Sequence, residues 1–278
     1  MRKTTFVSAA VLVCVMLLSV ACTSDANKET EATAQAVVTP LTFEIHQFKK
    51  QSSTCKSDTV ACATVQATYP LALGGVDSVR QAINDTLMHY LKAGMAVFAV
   101  EDEEFNIPLD DVAARFIKDY EDLRRDNPAY DIPWEVETTG KVLYQSTKLA
   151  SIQMGTYSYA GGAHPNSFAT LLTFEKSTGK KLELSDFIID RDRLTFIAEQ
   201  HFRKTNEIAP KTSLDDAGFF WGEAFSLPEN FALLEKGLYC FYNTYEVAPY
   251  VLGPTEFTIP YEELVGILNK NRIFEVKN

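Results

Sequence analysis

Alternation of apolar and polar positions appears first between Leu41 and Phe48. Leu41, Phe43, Ile45 and Gln47 fall on one face; Thr42, Glu44, His46 and Phe48 fall on the other. Thr59 to Tyr69 (TVACATVQATY) alternates in the same way and is closed by Pro70. A period of two over such lengths predicts two strands, joined as a hairpin. The period then changes. Gly74-Gly75 punctuates the chain, and Asp77 is placed to cap a helix over SVRQAINDTLMHYLKAGMAVFAV. Within it Val79, Ile83, Leu87, Tyr90, Leu91 and Phe98 share one helical stripe. A second helix is predicted from Pro108 to Arg124, with Leu109, Val112, Ala113, Phe116, Tyr120 and Leu123 as its stripe.

A β-rich stretch follows. The runs Trp134–Thr138, Lys141–Ser146 and Leu149–Tyr159 predict three strands, the first two separated by a turn at Thr139-Gly140. Ser167–Glu175 is a fourth strand, and a turn at Ser177–Lys180 precedes a short one at Lys181–Leu184. A third helix is predicted from Asp190 to Lys204, with Leu194, Ile197, Ala198 and His201 on one side. Thr212–Glu223 has no decisive period. The end returns to strands at Phe231–Leu234, Leu238–Tyr242 and Thr255–Ile259, then a helix at Tyr261–Leu268. The order of elements implies an α+β fold, a largely antiparallel sheet with packed helices, in two adjoining subdomains.

The first residues belong to neither. Arg2 and Lys3 precede an apolar run from Phe6 to Ala21, shorter than the ~20 residues a spanning helix needs. The pattern is a signal peptide. It ends Leu18-Ser19-Val20-Ala21-Cys22, as bacterial lipoprotein signals do, with Cys22 as the expected lipidated residue. Thr23–Pro40, rich in Thr, Ala and Glu, reads as a flexible tether. These features place the folded part in a bacterial cell envelope, lipid-anchored and facing the periplasm or the exterior. The formal net charge of −11 becomes −13 without Arg2 and Lys3. That excludes a phosphate-backbone partner, so no nucleic acid, and permits a basic protein partner.

Of five cysteines, Cys14 lies in the signal and Cys22 at its end. Cys55 and Cys62, close together between two strands of an exported chain, are expected to form a disulfide. A zinc site is the rival, but no second pair has ligand spacing. Cys240 in GLYCFYNTY is expected to be a buried, unreactive thiol in a strand.

Candidate chemistry is sparse. The stretch GTYSYAGGAHPNSF holds one of four histidines, His164, in the loop Gly161–Asn166 between two strands. A catalytic histidine needs a nucleophile and an orienting partner, and no Gly-x-Ser-x-Gly element supplies them. Asp110-Asp111 and Asp215-Asp216 fall where helices are expected to start, and there carboxylates favour the helix dipole. Glu101–Glu104 reads as a solvated loop. No metal-protease, calcium-loop or phosphate-loop motif occurs, so no cofactor and no metal are expected. The most distinctive stretch is YCFYNTYEVAPYVLGP. Alternation puts Tyr239, Phe241 and Asn243 on one face, Cys240 and Tyr242 on the other, and Tyr245, Glu246 and Tyr250 in a loop. Exposed tyrosines suit recognition surfaces because they bring large area at low entropic cost.

Two segments carry a family resemblance: YAGGAHPNSFATLLTFEKSTGKKLELSDF and NFALLEKGLYCFYNTYEVAPYVLGPTEFTIPYEEL. In order they hold Gly-Gly-Ala-His, Thr-Gly-Lys, Tyr-Glu-Val-Ala-Pro-Tyr and Gly253-Pro254. Together they resemble the extracellular module shared by RsiV-type anti-sigma factors and the N-terminal part of PdaC-type deacetylases. The resemblance implies an envelope-exposed α+β unit of two adjoining domains of unknown function. We place a PdaC-like domain over residues 41–165 and an RsiV-like domain over 166–278. In the RsiV type this unit binds lysozyme, and an acidic chain would suit that basic protein. The sigma-binding segment and membrane helix of that type, and the paired-Asp and His-x-x-x-His metal motifs of the deacetylase domain, are absent from this sequence. Neither activity is carried over.

The leading expectation is a non-catalytic lipoprotein that binds a protein such as lysozyme, or a peptidoglycan fragment. Its candidate contacts are Gly161, Gly162, His164, Asn166, Tyr245, Glu246 and Tyr250. The alternative is an envelope hydrolase or wall-modifying enzyme using His164 with a distant carboxylate. A third is an assembly role without a small ligand.

Overall fold

Cys55 and Cys62 close a long hairpin. Its strands are β1 (Thr42–Gln51) and β2 (Ala63–Leu73), paired antiparallel from Thr42 opposite Leu73 to Gln51 opposite Thr64. The two cysteines are disulfide-bonded, with Cα atoms 5.2 Å apart. The computed structural model describes residues 39–55, 61–98 and 106–274. The signal segment, Cys22, the tether up to residue 38 and the acidic run Glu101–Glu104 lie outside these. Thr39, at the end of the expected tether, is tied to the fold, its carbonyl accepting the Gly75 N–H at 2.8 Å. Breaking the disulfide with a Cys55→Ala, Cys62→Ala double variant is expected to cost about 2–3 kcal/mol, the loop entropy returned to the unfolded chain. Urea unfolding of the oxidised protein and the variant measures it.

β2 leads through α1 (Asp77–Met95) and α2 (Leu109–Asp126) to β3 (Trp134–Gln145). A crossover of this length lets β2 and β3 lie parallel, from Ala63 opposite Trp134 to Thr68 opposite Thr139. Both helices lay their apolar stripes on one sheet face. Ile83, Leu87 and Leu91 of α1 and Phe116 and Tyr120 of α2 are buried with Val65, Val136, Ile152 and Leu172 of the strands. Asp77 does not cap α1. It sits in the first turn 2.8 Å from Arg80, and Val76 holds the N-cap position. Asp110 and Asp111 occupy the first turn of α2, as the dipole argument requires. Phe98, beyond the end of α1, instead packs on Phe116 and Trp134 with centroids at 6.1 and 5.3 Å.

Two expected breaks do not occur. Pro70 lies inside β2, opposite Ile45. It falls beyond the last β2–β3 pair, so on that side its missing N–H removes no ladder bond. Trp134–Gln145 is one strand, not two with a turn at Thr139-Gly140; its only irregularity is a bulge between Val142 and Tyr144. Gly140 serves packing instead, since a Cβ there would lie 2.4 Å from Cδ of Pro70.

β4 (Leu149–Tyr159) and β5 (Asn166–Glu175) add antiparallel strands, giving a five-stranded sheet of order β1-β2-β3-β4-β5. β5 therefore completes the first sheet and does not open the second. The short strand expected at Lys181–Leu184 is a single bridge from Lys181 to Phe174 followed by a 3-10 turn at Leu184–Asp186.

The remaining elements are α3 (Arg191–Thr205), β6 (Phe231–Leu233), β7 (Gly237–Tyr242), β8 (Thr255–Pro260) and a short α4 (Lys270–Ile273). β6-β7-β8 form an antiparallel three-stranded sheet. Its core centres on Phe202 of α3, surrounded by Phe219, Phe220, Phe225, Tyr242 and Phe257 at centroid distances of 5.1–6.4 Å. The segment Thr212–Glu223 thus contributes core rings without regular structure, and Asp215-Asp216 lies in a turn, not at a helix start. No helix forms at Tyr261–Leu268. The segment runs as turns, because Gly266 sits at φ +77° and Leu268 pairs with Ile188. Cys240 is buried among apolar groups that push its thiol pKa up, so it stays protonated and inert.

The two sheets are joined along β5. Asn230 accepts the Leu171 N–H at 2.6 Å and donates to the Ala169 carbonyl at 2.7 Å. Asn243 accepts the Ala169 N–H at 2.7 Å. These amides occupy an edge whose backbone groups need partners. Ala169, Leu171, Ala232 and Phe241 form a small apolar cluster at the seam. The result is an α+β fold with two sheet subdomains. No helix among the described residues is long and apolar enough to cross a membrane.

Candidate binding surface

Two loops, far apart in sequence, meet at one end of this seam. The first joins β4 to β5. Gly161 lies at φ +81° and tucks beneath Tyr130, whose hydroxyl would be 2.1 Å from an added Cβ. That hydroxyl accepts the indole N–H of Trp134 at 2.9 Å. Gly161 is thus fixed by its backbone and by close packing. The second loop follows β7. Asn243 N–H donates to the Glu246 carboxylate at 2.7 Å, and Val247 and Ala248 are buried as anchors. Tyr245, held at φ +70°, is pushed outward. A left-handed conformation is costly for a side chain of this size, and such strain gathers at functional sites.

His164 from the first loop stacks on Tyr250 from the second, centroids 4.1 Å apart and planes at 23°. Tyr245 completes the group, 5.6 Å from Tyr250, with its hydroxyl 3.4 Å from Nε2 of His164. All three rings are exposed; Tyr245 keeps 54% of its surface and Tyr250 38%. Nδ1 of His164 lies 2.9 Å from the Pro165 carbonyl. Among the described residues no carboxylate hydrogen-bonds or pairs with His164. Glu246 is exposed as a residue, but its carboxylate turns into the loop; the loss of water there raises its pKa, opposed by the Asn243 N–H.

The structure therefore brings His164, Tyr245 and Tyr250 together. Glu246 and Gly161 shape the loops, and Gly162 is an open loop position. Asn166 begins β5 opposite Ser158. Beside them lie exposed apolar residues that the sequence pattern did not single out: Trp221, Val251 and Leu252, the last two in a 3-10 turn with Tyr250. The Trp221 segment joins the second loop through Phe220 N–H, which donates to Val247 O at 2.7 Å. The signal for Val251 and Leu252 was present as two aliphatic residues inside a loop. Trp221 had none, because its segment lacks periodicity.

Gly161→Ala is expected to destabilise the protein by about 2 kcal/mol, from positive φ and the Tyr130 clash. Gly162→Ala should cost under about 0.5 kcal/mol, since an added Cβ there meets only the His164 carbonyl at 3.8 Å. Denaturant midpoints of the two variants compare them directly.

The fold is a two-sheet α+β unit with an exposed aromatic cluster at its seam. Comparison with known proteins supplies its kinship. Residues 53–167 match the family described as "Deacetylase PdaC", and residues 177–262 match "Protein of unknown function (DUF3298)". The chain thus carries a PdaC-type module and, adjoining it, a DUF3298 module. Over 151 residues it is 29% identical to peptidoglycan-N-acetylmuramic acid deacetylase PdaC of Bacillus subtilis (strain 168), covering 52% of this chain. The match spans about a third (31%) of that protein's length. In fold the chain is similar to a crystal structure of a DUF3298 family member from Bacteroides fragilis NCTC 9343, with a TM-score of 0.65 and 20% identity over 84% of this chain and 95% of that one. A DUF3298 family protein from Pseudomonas aeruginosa PAO1 is also similar, with a TM-score of 0.58 and 18% identity over 84% and 97%.

Proposed function

We propose that the chain is a non-catalytic binding module of the cell envelope, recognising a protein such as lysozyme through the His164–Tyr245–Tyr250 surface. The observation that carries this is the pairing itself. Two loops from different modules bring three rings together at the surface, one of them with Tyr245 held at a costly positive φ, beside Val251, which is 87% exposed. A contiguous exposed apolar and aromatic group rimmed by polar residues is the usual form of a protein-binding site. The net charge of −11 favours a basic partner and speeds its encounter. The envelope location draws support from the named peptidoglycan substrate of the similar deacetylase and from the lipoprotein-type N-terminus.

The test is binding of the immobilised protein to a c-type lysozyme over a range of salt. Saturable binding that survives moderate salt supports the proposal. No binding, or binding that vanishes with salt, rejects lysozyme as the ligand.

A further inference from the structure

α1 and α2 cover one face of the five-stranded sheet. The other face is open from β1 to the seam. Strand register places Lys49, Gln66, Glu137, Tyr157 and Ser167 in one row across all five strands. Gln47, Thr68, Thr139, Gly155 and Ala169 form the next row. Two hollows lie on this face, and Glu137 lines both. One, about 400 Å³, is bounded by Thr139, Gly155, Tyr157, Phe168 and Phe241. The other, about 370 Å³, is lined by Gln47, Lys49, Gln66 and Thr68. Together they make a trough that crosses the strands.

Gly155 is the informative residue. It sits in the middle of β4, opposite Thr139 and Ala169, where glycine weakens a strand. No positive φ requires it. Nor does a close neighbour: an added Cβ would meet only the Thr139 carbonyl, at 3.8 Å. A strand-interior glycine with neither demand marks a place where something outside the chain approaches the backbone.

The lining identifies the visitor. Among the described residues, the side chains of Gln47, Gln66, Glu137 and Thr139 make no hydrogen bond within the chain. Amides and hydroxyls both donate and accept, and the carboxylate accepts. Tyr157, more than a third exposed, offers ring surface on one flank. Asn243 is not available, because both ends of its amide bond the Ala169 backbone. An extended peptide cannot add to β5, whose outer edge already holds Asn230 and Asn243. Groups that donate and accept in alternation, next to ring faces, match the hydroxyls and the C–H faces of sugars.

We infer that this trough binds a neutral oligosaccharide, laid across the strands with one sugar against Gly155 and Tyr157 and its hydroxyls donating to Glu137. The two hollows joined at Glu137 fit a chain of sugars better than a single one. None of His164, Tyr245 and Tyr250 lines either hollow, so this site and the proposed protein-binding surface stand or fall separately.

The experiment titrates the full chain with cellotetraose and with tetra-N-acetylchitotetraose, followed by amide chemical shifts. At least one tetramer should bind saturably, with shifts on β3, β4 and β5. Gly155→Val, which suits a strand, should fill the floor and abolish binding while the melting temperature stays level or rises. Glu137→Gln should weaken binding about tenfold, and Tyr245→Ala should leave it unchanged. The inference is overturned if neither tetramer saturates below about 10 mM. It is equally overturned if folded Gly155→Val binds as the parent does, or if Tyr245→Ala alone removes binding. Should Gly155→Val fail to fold, Glu137→Gln decides, and unchanged affinity there rejects the site.

Discussion

Phe202→Ala is expected to lower the unfolding free energy by about 4 kcal/mol, within the range for deleting a buried phenylalanine. Phe202 has no exposed surface and stands at the centre of five other rings. Its edge-to-face contacts join α3 to the Phe219–Phe225 segment and to the second sheet, so no single element can relax into the space. The cavity term therefore adds to the lost transfer energy. Phe202→Leu, which refills most of the volume, should recover more than half of the loss. Denaturant unfolding followed by far-UV circular dichroism gives both values. A Phe202→Ala cost below about 1 kcal/mol would show that this core is not the support of the second sheet.

The second large effect concerns binding. In the lysozyme assay, a Tyr245→Ala, Tyr250→Ala double variant should bind at least about 100-fold more weakly, as for the loss of two interface anchors. Stability should change by no more than about 2 kcal/mol, because Tyr245 is more than half exposed and Tyr250 more than a third. Most of the loss should appear in the dissociation rate. Trp221→Ala tests the extent of the surface and should weaken binding by a smaller factor. Parent-like affinity in the double variant would place the binding surface elsewhere on the molecule.

Part of the first sheet was legible as alternation, because β1 and β2 have one face toward the helices and the other near water, whereas the second sheet covers part of the other face of β4 and β5. β4 and β5 were read as longer strand-like runs and the stripes of α1 and α2 by helical spacing, but the stripe of α3 was read without Phe202, its main core residue. The failures have local causes. Thr139-Gly140 looks like a turn, yet Gly140 is there to admit the ring of Pro70, and Pro70 looks like a stop because its position relative to β3 is invisible in sequence. Tyr261–Leu268 has helical composition, but Gly266 in the left-handed region and the bridge from Leu268 to Ile188 turn it into a chain of turns. Thr212–Glu223 had no period to read because its rings enter the core from irregular backbone.

The candidate surface divides in the same way. Residue type and spacing alone marked His164, Tyr245 and Tyr250 as separate loop features, and the spacing of Cys55 and Cys62 marked their disulfide. Local chemistry determines such properties: turn residues, alternation and short-loop closure act over a few positions. Only the tertiary structure decided that His164 stacks on Tyr250 across 86 residues of chain. It likewise decided that Gly155 floors an open trough, and that Asn230 and Asn243 seal the edge of β5. Those relations depend on register and on packing between sheets, which join positions whose separation in sequence carries no periodic signal.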